Sequence, residues 1–164
     1  MMKADQHASL RPLRILCVED NPLIAFHLEH VIEDLGDSCV GSVDSFADLQ
    51  MQPLDFAAAL VDIDLADGPT GLAAARWLKE RGIPCAFVTG QTDIAEQHED
   101  LAVAIVAKPV TDETMARAIG ELRRTVQIPP VKFPKQRLTM EASPGRSDLH
   151  VRSSSLPDAG RSVS

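Results

Sequence analysis

The sequence is poor in aromatic residues and in cysteine, and each shortage excludes a class of protein. Its 164 residues include one Trp, five Phe and no Tyr, so an aromatic platform for stacking single-stranded bases is not expected. Three cysteines are too few and too widely spaced for a disulfide scaffold, and no CxxC pair indicates a zinc site. We predict that Cys17, Cys39 and Cys85 are small buried hydrophobic residues in a reducing compartment.

Positive charge and long apolar runs are also scarce. The net charge is −8, which argues against nucleic acid as a partner, since that binding depends on Lys and Arg neutralising phosphates. The longest apolar run, residues 101–107, falls far short of the ~20 residues that cross a bilayer. The first residues lack the apolar segment of a signal peptide. We therefore expect a cytoplasmic protein that binds neither nucleic acid nor membranes.

Short apolar runs do alternate with segments of helical periodicity along most of the chain. Residues 14–18 form the first such run, and Asn21 with Pro22 suits the start of the helix that follows. The pattern then repeats until five strands have alternated with five helices. This alternation predicts an α/β fold, a doubly wound five-stranded parallel sheet. The flavodoxin-like strand order 2-1-3-4-5 is the usual solution at this size.

The composition changes after residue 128. Proline and serine become frequent, apolar periodicity is lost, and the charge changes from acidic to mildly basic. These features predict one domain over residues 12–128, followed by a flexible, disordered tail over residues 129–164. The tail is too short and too unpatterned for a second domain, so we expect no output domain in this sequence.

Polar residues follow four of the predicted strands at the point where each strand ends. Glu19 and Asp20 follow the first strand, Asp62 the third, Thr89 the fourth and Lys108 the fifth. The carboxyl ends of parallel strands lie at one edge of the sheet, which is where open α/β folds bind ligands. We therefore expect these five side chains to converge.

The chemistry of this set points to a phosphoryl group and a hard cation. Clustered carboxylates repel one another unless a cation neutralises them, and carboxylate oxygens with water suit Mg²⁺. Lys108 supplies a fixed positive charge and Thr89 a hydroxyl, so both could hold a tetrahedral phosphoryl group. Asp62 is the most central candidate for accepting that group as an aspartyl-phosphate.

The same residues resemble the receiver domain of two-component response regulators, the family of the chemotaxis regulator. The resemblance spans about residues 12–127. It is carried by four motifs in the family's order and spacing, which are the acidic pair Glu19-Asp20, Asp62 in LVDIDL, Thr89 in FVTG, and Lys108-Pro109 in VAKPV.

The resemblance implies a role for each site residue. Glu19, Asp20, Asp62 and the backbone carbonyl of Asp64 would bind Mg²⁺, with Glu19 acting through water. Asp62 would be phosphorylated, Lys108 would pair with the phosphoryl group, and Thr89 would hydrogen-bond it. The bond from Lys108 to the following proline would be cis.

The resemblance also implies partners. A histidine kinase or histidine phosphotransfer protein would donate the phosphoryl group, and a downstream protein would receive the signal, with a weak homodimer as a further expectation. The chain would be a phosphorylated switch with self-catalysed phosphotransfer and dephosphorylation, not a turnover enzyme.

Three positions depart from the family pattern. Ile105 replaces an aromatic residue three positions before the conserved Lys, so the switch that pairs this position with Thr89 would use an aliphatic side chain. Ala66 replaces a common Pro, and Gly71 lies one residue further on than usual. These two changes predict an altered loop after Asp62.

Two other functions fit part of the pattern. A haloacid-dehalogenase-type phosphatase also phosphorylates an Asp at a strand end, and Asp62 with Asp64 matches the two acids of its first motif. That family places its last acidic motif after the Lys, whereas Glu19 and Asp20 precede every other site residue here. The second alternative is a binding module of the same fold that acts without phosphorylation.

Overall fold

The computed structural model describes residues 11–127. The predicted disordered tail at residues 129–164 lies outside this range. The described chain alternates strands and helices in the order β1 (Arg14–Val18), α1 (Pro22–Asp34), β2 (Ser38–Val43), α2 (Phe46–Met51), β3 (Ala58–Val61), α3 (Gly71–Glu80), β4 (Cys85–Thr89), α4 (Thr92–Gln97), a 3₁₀ turn (Glu99–Leu101), β5 (Ala104–Ala107) and α5 (Asp112–Gln127).

The strands form one parallel sheet in the order β2-β1-β3-β4-β5. The predicted fold class and strand order are therefore confirmed. The pairing between β1 and β2 contains one irregularity. Ile15 lies opposite Cys39 but Leu16 lies opposite Gly41, so Val40 is an extra residue in the edge strand β2.

Side chains cap the first two helices, and the sequence predicts the first of these caps at Asn21. The Asn21 side chain accepts a hydrogen bond from the Leu23 amide (3.0 Å) at the start of α1. Ser45 Oγ accepts one from the Asp48 amide (3.1 Å) at the start of α2. These caps satisfy amide groups that a first helical turn leaves without partners.

The sheet separates two apolar cores. Alternate strand residues point to opposite faces, so Leu16 and Val18 pack on one side while Ile15 and Cys17 pack on the other. The first core includes residues of α2 and α3, and the second includes residues of α1 and α5. The central strands β1, β3 and β4 are buried on both faces, and the polar residues that end them lie at one edge of the sheet.

Two local predictions differ from the structure. The sequence predicts a short helix over residues 92–100, but the α-helix ends at Gln97, because His98 has φ −127° and ψ 33° and the chain then tightens into the 3₁₀ turn. Cys17 and Cys85 are buried as predicted, but Cys39 is only half-buried because it lies on the edge strand β2.

Within residues 11–127, every helix is too short or too polar to span a bilayer.

Candidate functional site

Three acidic side chains meet at the carboxyl edge of the sheet. Carboxylate oxygens of Glu19, Asp20 and Asp62 all lie within 4.8 Å of one another. Glu19 and Asp62 are buried, whereas Asp20 is exposed. The neighbouring strands β1 and β3 bring them together, since Glu19 and Asp20 are the two residues after β1 and Asp62 is the first residue after β3.

Lys108 joins this acidic cluster from β5. Its Nζ lies 2.7 Å from Glu19 Oε2 and 2.6 Å from Asp62 Oδ2. The Lys108 amide also donates a hydrogen bond to the Thr89 carbonyl (3.0 Å), which ties the ends of β4 and β5 together. The bond from Lys108 to Pro109 is cis, as the resemblance implies. One ammonium group therefore bridges two buried carboxylates.

Burial and ion pairing oppose each other at this site. Burial raises the pKa of the Glu19 carboxyl, and hydrogen bonds from Lys108 and the Asn21 amide offset only part of that rise. Burial alone would lower the pKa of Lys108, but its hydrogen bonds to Asp62 and Glu19 outweigh this and raise the pKa. The lysine is therefore held in its charged form, which keeps a positive charge beside Asp62.

Asp62 is held by its own loop. Its Oδ1 accepts a hydrogen bond from the Ile63 amide (2.7 Å), while its Oδ2 faces Lys108. The backbone beside it is packed against Gly71, where an added Cβ would lie 1.9 Å from the Asp62 carbonyl oxygen. The sequence indicates Gly71 only as a displaced glycine and gives no sign of this contact with Asp62.

Thr89 and Asp64 meet through Gln91. Thr89 is buried at the end of β4, and its Oγ1 accepts a hydrogen bond from the Gln91 amide (3.0 Å). The Gln91 side chain donates a hydrogen bond to the exposed carboxylate of Asp64. The connection after β4 is thereby linked to the loop after Asp62, a link that strand ends alone did not predict.

The donor set fits a hard divalent cation. The three carboxylates supply oxygen donors only, and Mg²⁺ typically takes one or two carboxylates and several waters. Asp20 leaves one carboxylate open to solvent, where hydrated ions enter. Glu19, Asp20 and Asp62 could therefore hold Mg²⁺ at this edge of the sheet.

Solved structures with this fold identify the family. The chain is 34% identical to SdrG from Sphingomonas melonis Fr1, over 68% of this chain and 96% of that one, with a TM-score of 0.58. It is 27% identical to the signal receiver domain of a modulated diguanylate cyclase from Desulfovibrio desulfuricans G20, over 71% and 97% of the chains, with a TM-score of 0.61. The chain belongs to the response regulator receiver family.

This receiver is also 31% identical, over 117 residues, to the phyllosphere-induced regulator PhyR of Methylorubrum extorquens. The match covers 65% of this chain and 42% of PhyR, so the receiver spans less than half the length of that relative. No family model matches the chain. Membership of the receiver family places the chain in two-component signalling and decides against the haloacid-dehalogenase alternative.

Proposed function

We propose that this receiver accepts a phosphoryl group on Asp62 in a Mg²⁺-dependent reaction and signals by binding another protein. The observation that carries the proposal is the convergence of three carboxylates with Lys108, whose Nζ contacts both Glu19 and Asp62. An isolated acidic cluster would not need a half-buried ammonium group in contact with two of its members. Here the cluster supplies an acceptor oxygen and the lysine a counter-charge for the incoming group.

In the proposed reaction, a carboxylate oxygen of Asp62 attacks the phosphorus atom of the donor. The bond from phosphorus to the leaving nitrogen of a phosphohistidine breaks, its electron pair stays on nitrogen, and an acyl phosphate forms on Asp62. Lys108, 2.6 Å from Asp62 Oδ2 before reaction, stabilises the negative charge of the transferred group.

Glu19, Asp20, Asp62 and the backbone carbonyl of Asp64 are the proposed holders of Mg²⁺, with Glu19 acting through water. When bound, the ion neutralises the carboxylates and the phosphoryl oxygens. Glu19 is already oriented for this role, since the Asn21 amide donates a hydrogen bond to its Oε1 (3.0 Å).

Thr89 is the proposed sensor of the phosphoryl group. Its hydroxyl is bound to the Gln91 amide, directly before α4. A phosphoryl oxygen on Asp62 would accept a hydrogen bond from that hydroxyl, whose proton the Gln91 amide does not use. The pull on Thr89 would shift the population of arrangements around α4 and β5. Ile105 on β5 is half-buried against the core, and we propose that its side chain follows this change.

The proposed partners are a histidine kinase or histidine phosphotransfer protein as donor and a downstream protein as receiver of the signal, with a weak homodimer as a further state. We propose residues 12–128 as the signalling domain. The proposed location is the cytoplasm.

Phosphorylation by small donors tests the central claim. The protein is incubated with acetyl phosphate or phosphoramidate, with Mg²⁺ or with a chelator, and its intact mass is measured. We expect one added phosphoryl group with Mg²⁺, none with the chelator, and none in Asp62→Asn. A folded protein that gains no phosphoryl group with either donor would instead support a phosphorylation-independent binding module.

A kinase-profiling assay then tests the partner class. Purified histidine kinases and phosphotransfer proteins are loaded with labelled phosphate and mixed with the receiver for short times. A cognate donor should transfer label rapidly to the parent protein and not to Asp62→Asn. Equal slow labelling by every donor would argue against a specific kinase.

A further inference from the structure

The loop between β3 and α3 carries two residues of the proposed site, Asp62 and Asp64. It closes on itself after Asp64, because the Leu65 amide donates to the Gly68 carbonyl (2.9 Å) and the Gly68 amide donates to the Leu65 carbonyl (3.0 Å). This turn keeps its own shape. Its position relative to the rest of the domain must come from other contacts.

Asp67, at the tip of this turn, attaches it to α2. Its Oδ1 accepts a hydrogen bond from the Phe46 amide (3.2 Å) and its Oδ2 one from the Ala47 amide (3.1 Å). Thr70 Oγ1 donates a further hydrogen bond to Asp67 Oδ1 (2.5 Å). One carboxylate therefore binds amides of the first turn of a helix about 20 residues earlier in the chain.

The charged form of Asp67 favours this arrangement. Hydrogen bonds from the Thr70 hydroxyl, and then from the amides of Phe46 and Ala47, hold the pKa of the Asp67 carboxyl below its usual value. A second contact lies beside it, since the Ala66 amide donates to the Asp44 carbonyl (2.8 Å). The turn is thus attached to α2 by two amide hydrogen bonds that end on Asp67, and to the residues just before α2 by a third, from Ala66 to Asp44.

We propose that Asp67 is a positioning residue for Mg²⁺ binding, which fixes the loop carrying Asp64 against α2. The inference rests on the proposed function, in which the Asp64 carbonyl is a metal ligand. Asp67 lies three residues beyond Asp64, on the far side of the closed turn, and contacts α2 instead of the acidic cluster. Its effect on the metal is therefore indirect and is transmitted by the backbone of the loop.

Loss of this attachment should loosen the loop without unfolding the domain. Asp67 is exposed, and its removal leaves the bonds inside the turn and the Ser45 cap of α2 in place. The Asp64 carbonyl, held less firmly, would have to be ordered when Mg²⁺ binds. This ordering costs free energy, so the affinity for Mg²⁺ falls. Partners one step removed from a metal ligand commonly contribute about tenfold or more to metal affinity.

The test compares Mg²⁺ affinity in three variants of the full chain. Asp67→Ala removes both amide contacts, and Asp67→Asn retains one acceptor oxygen. Asp55→Ala is the charge-matched control, since Asp55 is exposed and pairs with Arg14 before β3, at the opposite end of the sheet. The dissociation constant is measured from backbone amide NMR shifts during titration with MgCl₂ alone.

We expect Asp67→Ala to raise the Mg²⁺ dissociation constant about tenfold, Asp67→Asn to give a smaller rise, and Asp55→Ala to match the parent. Hydrogen exchange at the amides of Phe46 and Ala47 should accelerate in Asp67→Ala. In Asp67→Ala, the rate of labelling by acetyl phosphate should reach half of its maximum at a higher Mg²⁺ concentration than in the parent, and the maximal rate should be unchanged. Partial unfolding would instead lower the maximal rate without changing the Mg²⁺ concentration at half-maximum.

The inference is wrong if Asp67→Ala binds Mg²⁺ as tightly as the parent protein, or if Asp55→Ala loses as much affinity. Failure of the proposed function gives a different result. If the parent binds Mg²⁺ but Asp62 is never phosphorylated, the role of Asp67 is still decided by the titration. If the parent does not bind Mg²⁺, both the inference and the proposed function fall.

Discussion

Gly71 lies against the peptide bond between Asp62 and Ile63. A Cβ built on it would lie 1.9 Å from the Asp62 carbonyl oxygen and 2.4 Å from Ile63 Cα, both of them backbone atoms. The Gly71 amide donates a hydrogen bond to the Ile63 carbonyl (2.9 Å). The first residue of α3 is thus packed on the backbone of the proposed phosphoacceptor, and no side-chain rotation can make room for a larger residue.

Gly71→Ala should therefore destabilise the domain and impair phosphorylation of Asp62. Overpacking of this kind typically costs about 1–3 kcal/mol, and the displaced backbone carries Asp62. Gly120→Ala is the control, because a Cβ at Gly120 in α5 meets nothing within 4 Å and Ala in a helix gains about 0.5–1 kcal/mol over Gly. Urea denaturation measures both variants. Similar stability of the two would contradict the close packing at Gly71.

Asp20→Ala should weaken Mg²⁺ binding and block phosphorylation while the fold is retained. Asp20 is the exposed member of the acidic cluster, and removal of one of three mutually repelling carboxylates should leave the metal-free protein at least as stable. Unfolding in urea with a chelator measures stability, and MgCl₂ titration measures affinity. Glu29→Gln, an exposed charge loss on α1, serves as the control. A large loss of metal-free stability would show that Asp20 is mainly structural.

The ion pair between Arg123 and Asp37 should stabilise the fold far more than the exposed ion pairs on α5 do. The Asp37 side chain is 1% exposed, accepts a hydrogen bond from the Leu13 amide (2.8 Å), and has no recorded partner for Oδ2 within the described residues. Removal of Arg123 would leave this buried carboxylate without its positive charge.

Arg123→Ala should consequently cost about 3 kcal/mol. Arg117→Ala on the same helix is the matched control, since its pair with Glu113 is exposed on both sides and such pairs contribute about 0.5 kcal/mol or less. Free energies of unfolding from urea curves decide between them. If Arg123→Ala and Arg117→Ala lowered the free energy of unfolding equally, the burial of Asp37 would add nothing to the strength of its ion pair.

Cys39 should react with iodoacetamide before the other two cysteines do. The hydrogen bond with the Cys17 thiol outweighs burial and lowers the pKa of Cys39 to about 7. Because the thiolate is the nucleophile, the alkylation rate should rise with pH and reach half its plateau near pH 7.

Cys85 provides an internal comparison, since burial raises the pKa of its thiol to about 12. It should stay unmodified in the folded protein and react after denaturation. Mass spectrometry of peptides locates the modification, and Cys39→Ser should abolish the fast phase. If the alkylation rate of Cys39 reached half its plateau only above pH 8, the lowered pKa of Cys39 would be contradicted.

The strands and the central acidic cluster could be predicted because parallel strands are buried on both faces. Such strands read as short apolar runs, and the polar residue that ends each run marks the edge of the sheet. Glu19, Asp62 and Lys108 were found in this way, and the structure brings them together. Their assigned roles remain predictions until phosphorylation is measured.

The contacts between loops could not be predicted from the same signals. Asp67 binds amides about 20 residues earlier in the chain, and Gly71 packs on backbone, so neither contact follows a periodicity or a short motif. The prediction that Cys39 is buried was wrong for another reason. An apolar run shows that a strand is partly buried, and position at the sheet's edge then decides how much of each residue is covered.

The extra residue in β2 has a consequence for how copies of this domain meet in concentrated solution. An edge strand offers unpaired amide and carbonyl groups to any other extended chain, which is a common route to aggregation. In β2 the regular spacing of these groups is broken at Val40 and at Gly41, whose φ is +147°. A strand from a second molecule would find no continuous ladder of partners there, so the bulge makes this open edge a poor template for fibril growth.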